Sequence, residues 1–585
     1  MIDWLRSSLK LVRRYRAVFT GVLVCVLPAA YLMLTTMSYS DNHIILSQTI
    51  WSDFTGHYPL IRSFSEGYNW SLESPTFTGE LIRYHFGFYF LAALLEMTGI
   101  RIDIAINLLS IIGFAGMLLL AYFAALRLGR RIAAGVTAVL LILFNPSWSW
   151  YYYLHPDHLG LKTVQDIVTN QNFGSFGPYD NHVISAFWSL NVFLHQRHLA
   201  FSFLLLGLVF LFMNLKHSRT NKAVAIVLTL MLSWINQAVL MVLFVLLGIN
   251  IIEHILHKKN WAQLTFFVCT AVAVSLTAIT FISSSAISGG SAFKLQPGFI
   301  YYGTEWVEFP FVQGDFARWL VYWILNIGIL PLLAFAGFIL IRRFHRPAGK
   351  TMRARLIDLL RQILVLERVP FVSAVIMFII ANLFIFARDP STNHKFINYV
   401  IVVWSVYAAV FLVRLLTLKR APAFIVLLVC VTLGGFFDLW PVVNANRHML
   451  ADIEASDTAV WIKDNTPRDA RFMNVTADFN PVMSTGRKLF FGPQYINWSL
   501  GYDTLGRLEL MRQITRGTQP KEFVCQIAQH YSLSYIIVTK FPDTYLETPV
   551  DLRYFEDNFV KLFSDSSDYY RIYDINASCS TSDPP

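Results

Sequence analysis

Long apolar blocks alternate with short polar joints over the first three quarters of the chain, and then the pattern changes. The blocks lie near residues 17–37, 103–126, 132–150, 198–215, 222–236, 237–256, 262–285, 317–341, 371–387, 396–416 and 422–438. A helix crossing a bilayer needs about 20 mainly apolar residues, so the pattern predicts an all-α polytopic membrane protein with about 11–13 transmembrane helices. The run 222–256 is too long for one crossing and divides at Asn236-Gln237, as a turn or as an interhelical hydrogen bond. The block His85–Gly99 is too short to cross, reaching only ~22 Å as a helix. It is read as lying in, or dipping into, the outer half of the membrane.

From Asp438 onward the pattern is that of a small α/β domain. Helices are expected over Thr458–Lys463, Thr504–Thr515 and Lys521–His530, and strands over Arg471–Val475 and Tyr535–Thr539. Phe559–Phe563 and Tyr569–Ile575 read as a closing hairpin. The expected organisation is a polytopic domain over 1–438 and a C-terminal extracytoplasmic α/β domain over 439–585.

Charge orients the chain. Arg6, Lys10, Arg13, Arg14 and Arg16 precede the first block and place the N-terminus in the cytoplasm. Val18–Thr36 has no small-x-small cleavage site, so it reads as a retained anchor. Further basic joints fall at Arg127–Arg131, Lys216–Lys222, Lys258-Lys259, Arg342–Arg368 and Arg414–Arg420, all on the predicted inner side. The net charge of +10 is thus a topology signal and not a nucleic-acid footprint. The outer side receives 38–84, 151–197, 286–316, 388–395 and the C-terminal tail. Hydrophobic residues make up 55% of the chain, so the expected location is an integral membrane one, with the tail on the outer side. Cys25, Cys269 and Cys430 lie in apolar blocks, whereas Cys525 and Cys579 lie in the tail, where an oxidising compartment allows them to pair or stay free.

The outer segments hold the candidate chemistry. Asp53 and His57 are four apart and share one face of a helix. They suit a general base toward an acceptor hydroxyl, a divalent Mg or Mn site, or simply the wet face of an interfacial helix. Asp41, beside Asn42, is a rival catalytic acid or a helix cap. Arg62 and the run Arg83-Tyr84-His85 offer positive charge at headgroup level, for an anionic phosphate or as snorkelling anchors. The 151–197 loop gathers amide, imidazole and aromatic groups at Asn170–Gly174, Tyr179-Asp180-Asn181-His182 and Asn191–His198. Asn191, Gln196, Arg197, His198 and Asp180 are the residues there suited to a sugar or phosphate, without a zinc-ligand spacing. Asn393 and Lys395 open an apolar helix from the outer side, where a cation needs a reason such as a lipid phosphate or pairing with Asp389. The aromatic loop 286–316, with Tyr301–Trp306, suits either a lid or ordinary packing. No P-loop, Gly-x-Gly-x-x-Gly, His-Glu-x-x-His or Gly-x-Ser-x-Gly occurs.

The basic N-terminus, one span, a long acid-containing first outer loop, many further spans and an α/β tail resemble the GT-C superfamily of membrane glycosyltransferases. More narrowly, Asp53–Phe64, Gly79–Phe86 and Asn393-His394-Lys395-Phe396 look like a bacterial subgroup related to protein-mannosyltransferase and YYY-type membrane proteins. Asp457–Asp469 is similar to the start of the periplasmic domain in such proteins. The resemblance implies transfer of a sugar from a polyprenyl-phosphate donor to a glycan, lipid or protein acceptor on the outer face. It further implies an acid in the first outer loop as base or metal ligand, carried here by Asp53 with Asp41 in reserve, and a donor phosphate gripped by Arg83, His85, Arg197 and Lys395. Asp41-Asn42 stands where many members have Asp-Glu. The competing readings are a transporter or flippase of a lipid-linked saccharide and a non-catalytic membrane assembly partner.

Overall fold

The structure, a computed structural model, describes residues 2–152, 159–173, 184–188, 190–215, 219–286, 294–298, 315–341, 351–474, 479–540 and 550–580. The chain divides into two compact units, Met1–Thr36, Leu109–Thr277 and Ala292–Asn446 in one, and Met37–Leu108, Ala278–Ser291 and Arg447–Pro585 in the other.

The first unit is helical. Among the described residues six helices are long and apolar enough to cross a membrane, Tyr15–Thr36, Ile102–Gly129, Arg197–Asn214, Gln237–Leu256, Trp261–Ile282 and Pro390–Thr417. Two bent pairs, Phe316–Ile327 with Leu330–Ile341 (77°) and Ala421–Cys430 with Leu433–Asn444 (47°), bring the number to eight if each counts as one span. The protein is an integral membrane protein, and among the described residues fewer helices are long enough to cross than the eleven or more expected. Every expected block does land on helix; what fails is length. Ile132–Leu143 stops after 12 residues because Pro146 follows, and the residues just before a proline leave the helical region. Arg219–Ile235 stops at 17 because Asn236 turns the chain and caps the next helix, its side chain accepting from the Val239 N–H at 3.2 Å. Val369–Leu383 ends at 15 residues, where Phe384-Ile385 becomes extended and pairs with Lys294-Leu295. At 1.5 Å per residue these reach only ~18–26 Å. Gly87–Met97, with 11 residues, stays short as expected.

Two glycines show why the helices approach as they do. Gly337 in Leu330–Ile341 lies so near the helix His394–Thr417 that an added Cβ would overlap the Tyr407 carbonyl, a small-residue contact of the kind that replaces hydrophobic drive between membrane helices. Gly328 turns the 77° bend at φ +54°, and a Cβ there would meet the Pro146 carbonyl oxygen at 2.6 Å.

The second unit joins the segment after the first helix to the C-terminal tail. Met37–Ser40 and His43–Ser47 form an antiparallel hairpin, and Arg447–Ala451 adds the third strand. Asp41 (φ 51°) and Asn42 (φ 58°) are its two-residue turn, the positive-φ pairing that Asp and Asn accept most readily. Neither residue caps a helix. A five-stranded sheet runs Lys488-Leu489, Arg471–Asn474, Tyr535–Thr539, Tyr570–Asp574, Val560–Ser564 in spatial order. Its first two neighbouring pairs are parallel and the last two antiparallel, the closing hairpin falling where the sequence placed it. Phe77, from the segment after the first helix, is buried in the core of this domain with Phe490, Phe491, Tyr502, Met511 and Val538, which is why that segment folds with the tail.

Two contacts stitch this unit. Cys525 and Cys579 are bonded across a sequence separation of 54 residues. Closing a loop of that size stabilises by about 2–4 kcal/mol, so the Cys525→Ser/Cys579→Ser pair is expected to lose that much unfolding free energy and to melt earlier. Reductant should shift the wild-type melt to match and leave the variant where it is. Glu73 accepts from Lys488 Nζ and Arg471 (both 2.9 Å) and from the Gly79 N–H (2.7 Å). Burial pushes its carboxyl up, but these donors outweigh burial and hold it below the usual carboxylate value. A carboxyl held low in the fold contributes stability above its unfolded pKa of about 4.3 and loses it as pH falls. Glu73→Gln should therefore cost stability at pH 7 and show a shallower loss below that value, read by chemical denaturation at stepped pH.

Candidate active site

Asp53 sits in the first turn of the helix Trp51–Ser65, where a negative side chain also favours the helix N-terminus. The helix has two working faces. Trp51, Phe54 and Tyr58 form the packing face, with Trp51 edge-on to Phe479 at 4.4 Å and beside His448 at 4.7 Å. Phe54 stacks on Tyr58 at 5.6 Å. Gly56 keeps the helix close to Ile496, whose Cγ2 an added Cβ would meet at 3.0 Å. The other face carries Asp53 and His57, both half-buried. His57 stacks on Tyr89 at 4.4 Å and on Tyr84 at 6.1 Å, and Tyr84 stacks on His85 at 4.0 Å. The Tyr84 hydroxyl is pushed up by burial first and by the Asp53 charge second, with Tyr89 working the other way. Asp53, His57, Tyr84 and His85 are thus brought together, an acid at the edge of four stacked rings. Tyr89 completes the stack, and only its place in the short apolar block could have pointed to it.

Asp41 stands apart from this group. It is exposed at the hairpin tip, where it accepts from Ser40 Oγ at 2.9 Å, and its carbonyl lies 2.6 Å from His43 Nδ1.

Arg62 lies in a buried ionic knot. Its guanidinium meets Asp452 Oδ1 at 2.5 Å and Glu96 Oε1 at 2.8 Å, with Glu66 at 3.6 Å. Tyr39 and Tyr58 also donate to Asp452, at 3.2 and 3.3 Å, and Ser65 donates to Glu96 at 2.5 Å. Burial first, and then the negative potential of Asp452, pushes the Tyr39 hydroxyl up to about 12. Arg83 separates from its neighbours Tyr84 and His85. It donates to the Gly501 carbonyl (2.6 Å) and Glu80 (3.1 Å) while its guanidinium covers the Tyr502 ring at 4.6 Å.

The remaining candidates belong to the helical unit. Arg197 is buried where the helix Ile2–Thr36 ends, donating to Thr36 Oγ1 (2.9 Å) and the Met33 carbonyl (3.3 Å), a cation placed on helix C-terminal oxygens. His198 is fully buried beside it. Asn191 opens the short helix Asn191–His195, and Gln196 is the non-helical residue between that helix and Arg197–Asn214. Asn393 closes a turn by donating to the Phe384 (2.6 Å) and Ala381 (3.2 Å) carbonyls. Lys395 is buried in the first turn of His394–Thr417, where the helix dipole disfavours a cation. Phe187 links the two groups, since its ring stacks on His394 at 5.3 Å and its carbonyl accepts from Asn398 at 3.0 Å. Asp180 and the 301–306 aromatic run lie outside the described residues. Among the described residues no three His, Cys, Asp or Glu side chains gather as metal ligands.

No family model matches the chain, and no curated protein does. Solved structures do. The oligosaccharyltransferase of Archaeoglobus fulgidus, in complex with zinc and sulfate, is similar over 93% of this chain and 72% of its own, at 12% identity and a TM-score of 0.44. ArnT from Cupriavidus metallidurans bound to undecaprenyl phosphate is similar over 97% of this chain and 99% of its own, at 13% identity and a TM-score of 0.46. Its apo form gives 98% and 100% at 12% and 0.44. At these identities the likeness concerns the fold alone.

Proposed function

We propose that the protein is a membrane glycosyltransferase of GT-C type that moves a sugar from a polyprenyl-phosphate donor to an acceptor on the extracytoplasmic face. The observation that carries this reading is the placement of Asp53 on the His57/Tyr84/Tyr89 side of its helix. A half-buried carboxylate at the edge of stacked rings suits an acceptor sugar, whose apolar face lies on aromatic rings while its hydroxyl meets the acid. Asp53 takes the acceptor proton as the hydroxyl oxygen attacks the anomeric carbon, and the C–O bond to the phosphate breaks with its electron pair leaving on that oxygen. Phosphate leaves readily, so one base suffices and the displacement inverts the anomeric centre. Arg197 and Lys395 are the phosphate candidates of the helical unit. Arg62 and Arg83 are better accounted for as structural ions. The Cys525–Cys579 bond fits an oxidising, extracytoplasmic location for the tail.

One observation favours the transporter reading. The 77° and 47° bent helix pairs have the interrupted form of the discontinuous helices from which transporters build binding sites. The deciding experiment supplies purified protein in detergent with a panel of polyprenyl-phosphate sugars and acceptors. Release of polyprenyl phosphate coupled to a glycosylated product supports the enzyme. Saturable donor binding without turnover across the panel overturns it in favour of the transporter.

A further inference from the structure

The helix Met352–Ile363 faces the wrong way for a packed helix. None of its residues is buried. At 100° per residue Met352, Leu356, Leu359, Leu360 and Ile363 fall within an arc of about 100°. Of these Met352 is 90%, Leu356 56%, Leu359 36% and Leu360 37% exposed. The opposite side meets the protein with a charge, Arg361 donating through Nε to the Leu256 carbonyl at 2.8 Å, at the end of the helix Gln237–Leu256. Polar side toward the protein and apolar side away is the reverse of a surface helix in water.

The helix does not cross a membrane either. Twelve residues span only ~18 Å, and Arg353, Arg355, Asp358 and Arg361 interrupt it. It is tethered by membrane helices, with Leu330–Ile341 before it in the chain and Val369–Leu383 after it. Arg353 and Arg355 flank the apolar arc on its two sides, where their charges reach headgroups while the leucines go deeper. Its neighbour Leu256 leads directly into the basic joint Lys258-Lys259, and Thr351 fixes its start by accepting from the Ala354 N–H at 3.2 Å.

We propose that Met352–Ile363 is an interfacial helix that docks on the anionic lipid surface of the inner leaflet, leucines inserted and Arg353 and Arg355 at the headgroups. The inference is independent of the sugar-transfer reading. It is tested on the full chain in nanodiscs of phosphatidylcholine with and without phosphatidylglycerol, with Cys25, Cys269 and Cys430 replaced by alanine and the disulfide kept. A fluorophore is placed at Leu356→Cys, Leu360→Cys or Ala354→Cys and quenched by nitroxide lipids or by aqueous iodide. The labels at 356 and 360 are expected about 5–10 Å below the headgroup level and the label at 354 in reach of iodide. Adding Arg353→Glu/Arg355→Glu should move the 356 label toward water in discs with phosphatidylglycerol and leave it unmoved without. Iodide reaching 356 and 360 as readily as 354 would overturn the docking. Equal depth in both lipids, before and after charge reversal, would overturn the anionic preference. Shielding of 356 from both quenchers would point to a second copy of the chain instead, and sink the proposal.

Discussion

Asp53→Asn is expected to lower sugar transfer by about 10²–10⁴-fold, the range lost when a positioned general base is removed. Asparagine keeps the volume and the helix N-terminal position of Asp53 but cannot take the acceptor proton. The loss should therefore appear in kcat with little change in KM for the lipid donor, and the variant should melt with the wild type. Asp41→Asn is the matched control. Asp41 lies exposed in a two-residue turn that Asn tolerates equally well, so transfer should stay near wild type. Activity retained in Asp53→Asn would remove Asp53 from the role of base, and loss in Asp41→Asn alone would move that role to the hairpin tip. Transfer measured by product formation from a radiolabelled donor separates these results.

The class of fold was legible because it rests on composition over long windows, which local detail hardly disturbs. Helix length was not, since single residues decide it. Pro146 cuts one apolar block, Asn236 caps a new helix within another, and Phe384-Ile385 leaves helix to pair with Lys294-Leu295 although its side chains are apolar. The site divides along the same line. Asp53 and His57 meet one face because a four-residue spacing is a local rule. The Arg62–Asp452 pair joins residues 390 apart in sequence, and nothing near Arg62 in the chain marks it as the centre of an ion cluster. Phe77 gives a similar lesson. It reads as one aromatic in an outer loop, yet its burial with Tyr502 and Phe491 ties that loop to a domain beginning hundreds of residues later.

Arg62→Met is expected to destabilise the second unit by about 3–5 kcal/mol, the effect of breaking a buried ion pair from one side. The geometry explains why the loss is large. Arg62 neutralises Asp452 and Glu96 at once, and the side chains of all three are at most one-tenth exposed. Removing the guanidinium leaves two carboxylates near each other with Tyr39, Tyr58 and Ser65 as their remaining donors, and hydroxyls do not replace a counter-charge. Those carboxylates lie in the short helix Gly87–Met97 and just after the strand Arg447–Ala451, so the knot fixes the Asp53 helix to both. Arg62→Lys keeps the charge but not the two-armed geometry, and should fall between wild type and Arg62→Met. A thermal melt of detergent-purified protein reads the series. A phosphate ligand would behave otherwise: Arg62→Lys would leave the melt unchanged and raise KM for the polyprenyl-phosphate donor. An unshifted melt in Arg62→Met would likewise return Arg62 to the phosphate candidates and leave the helix carrying Asp53 without its ionic anchor.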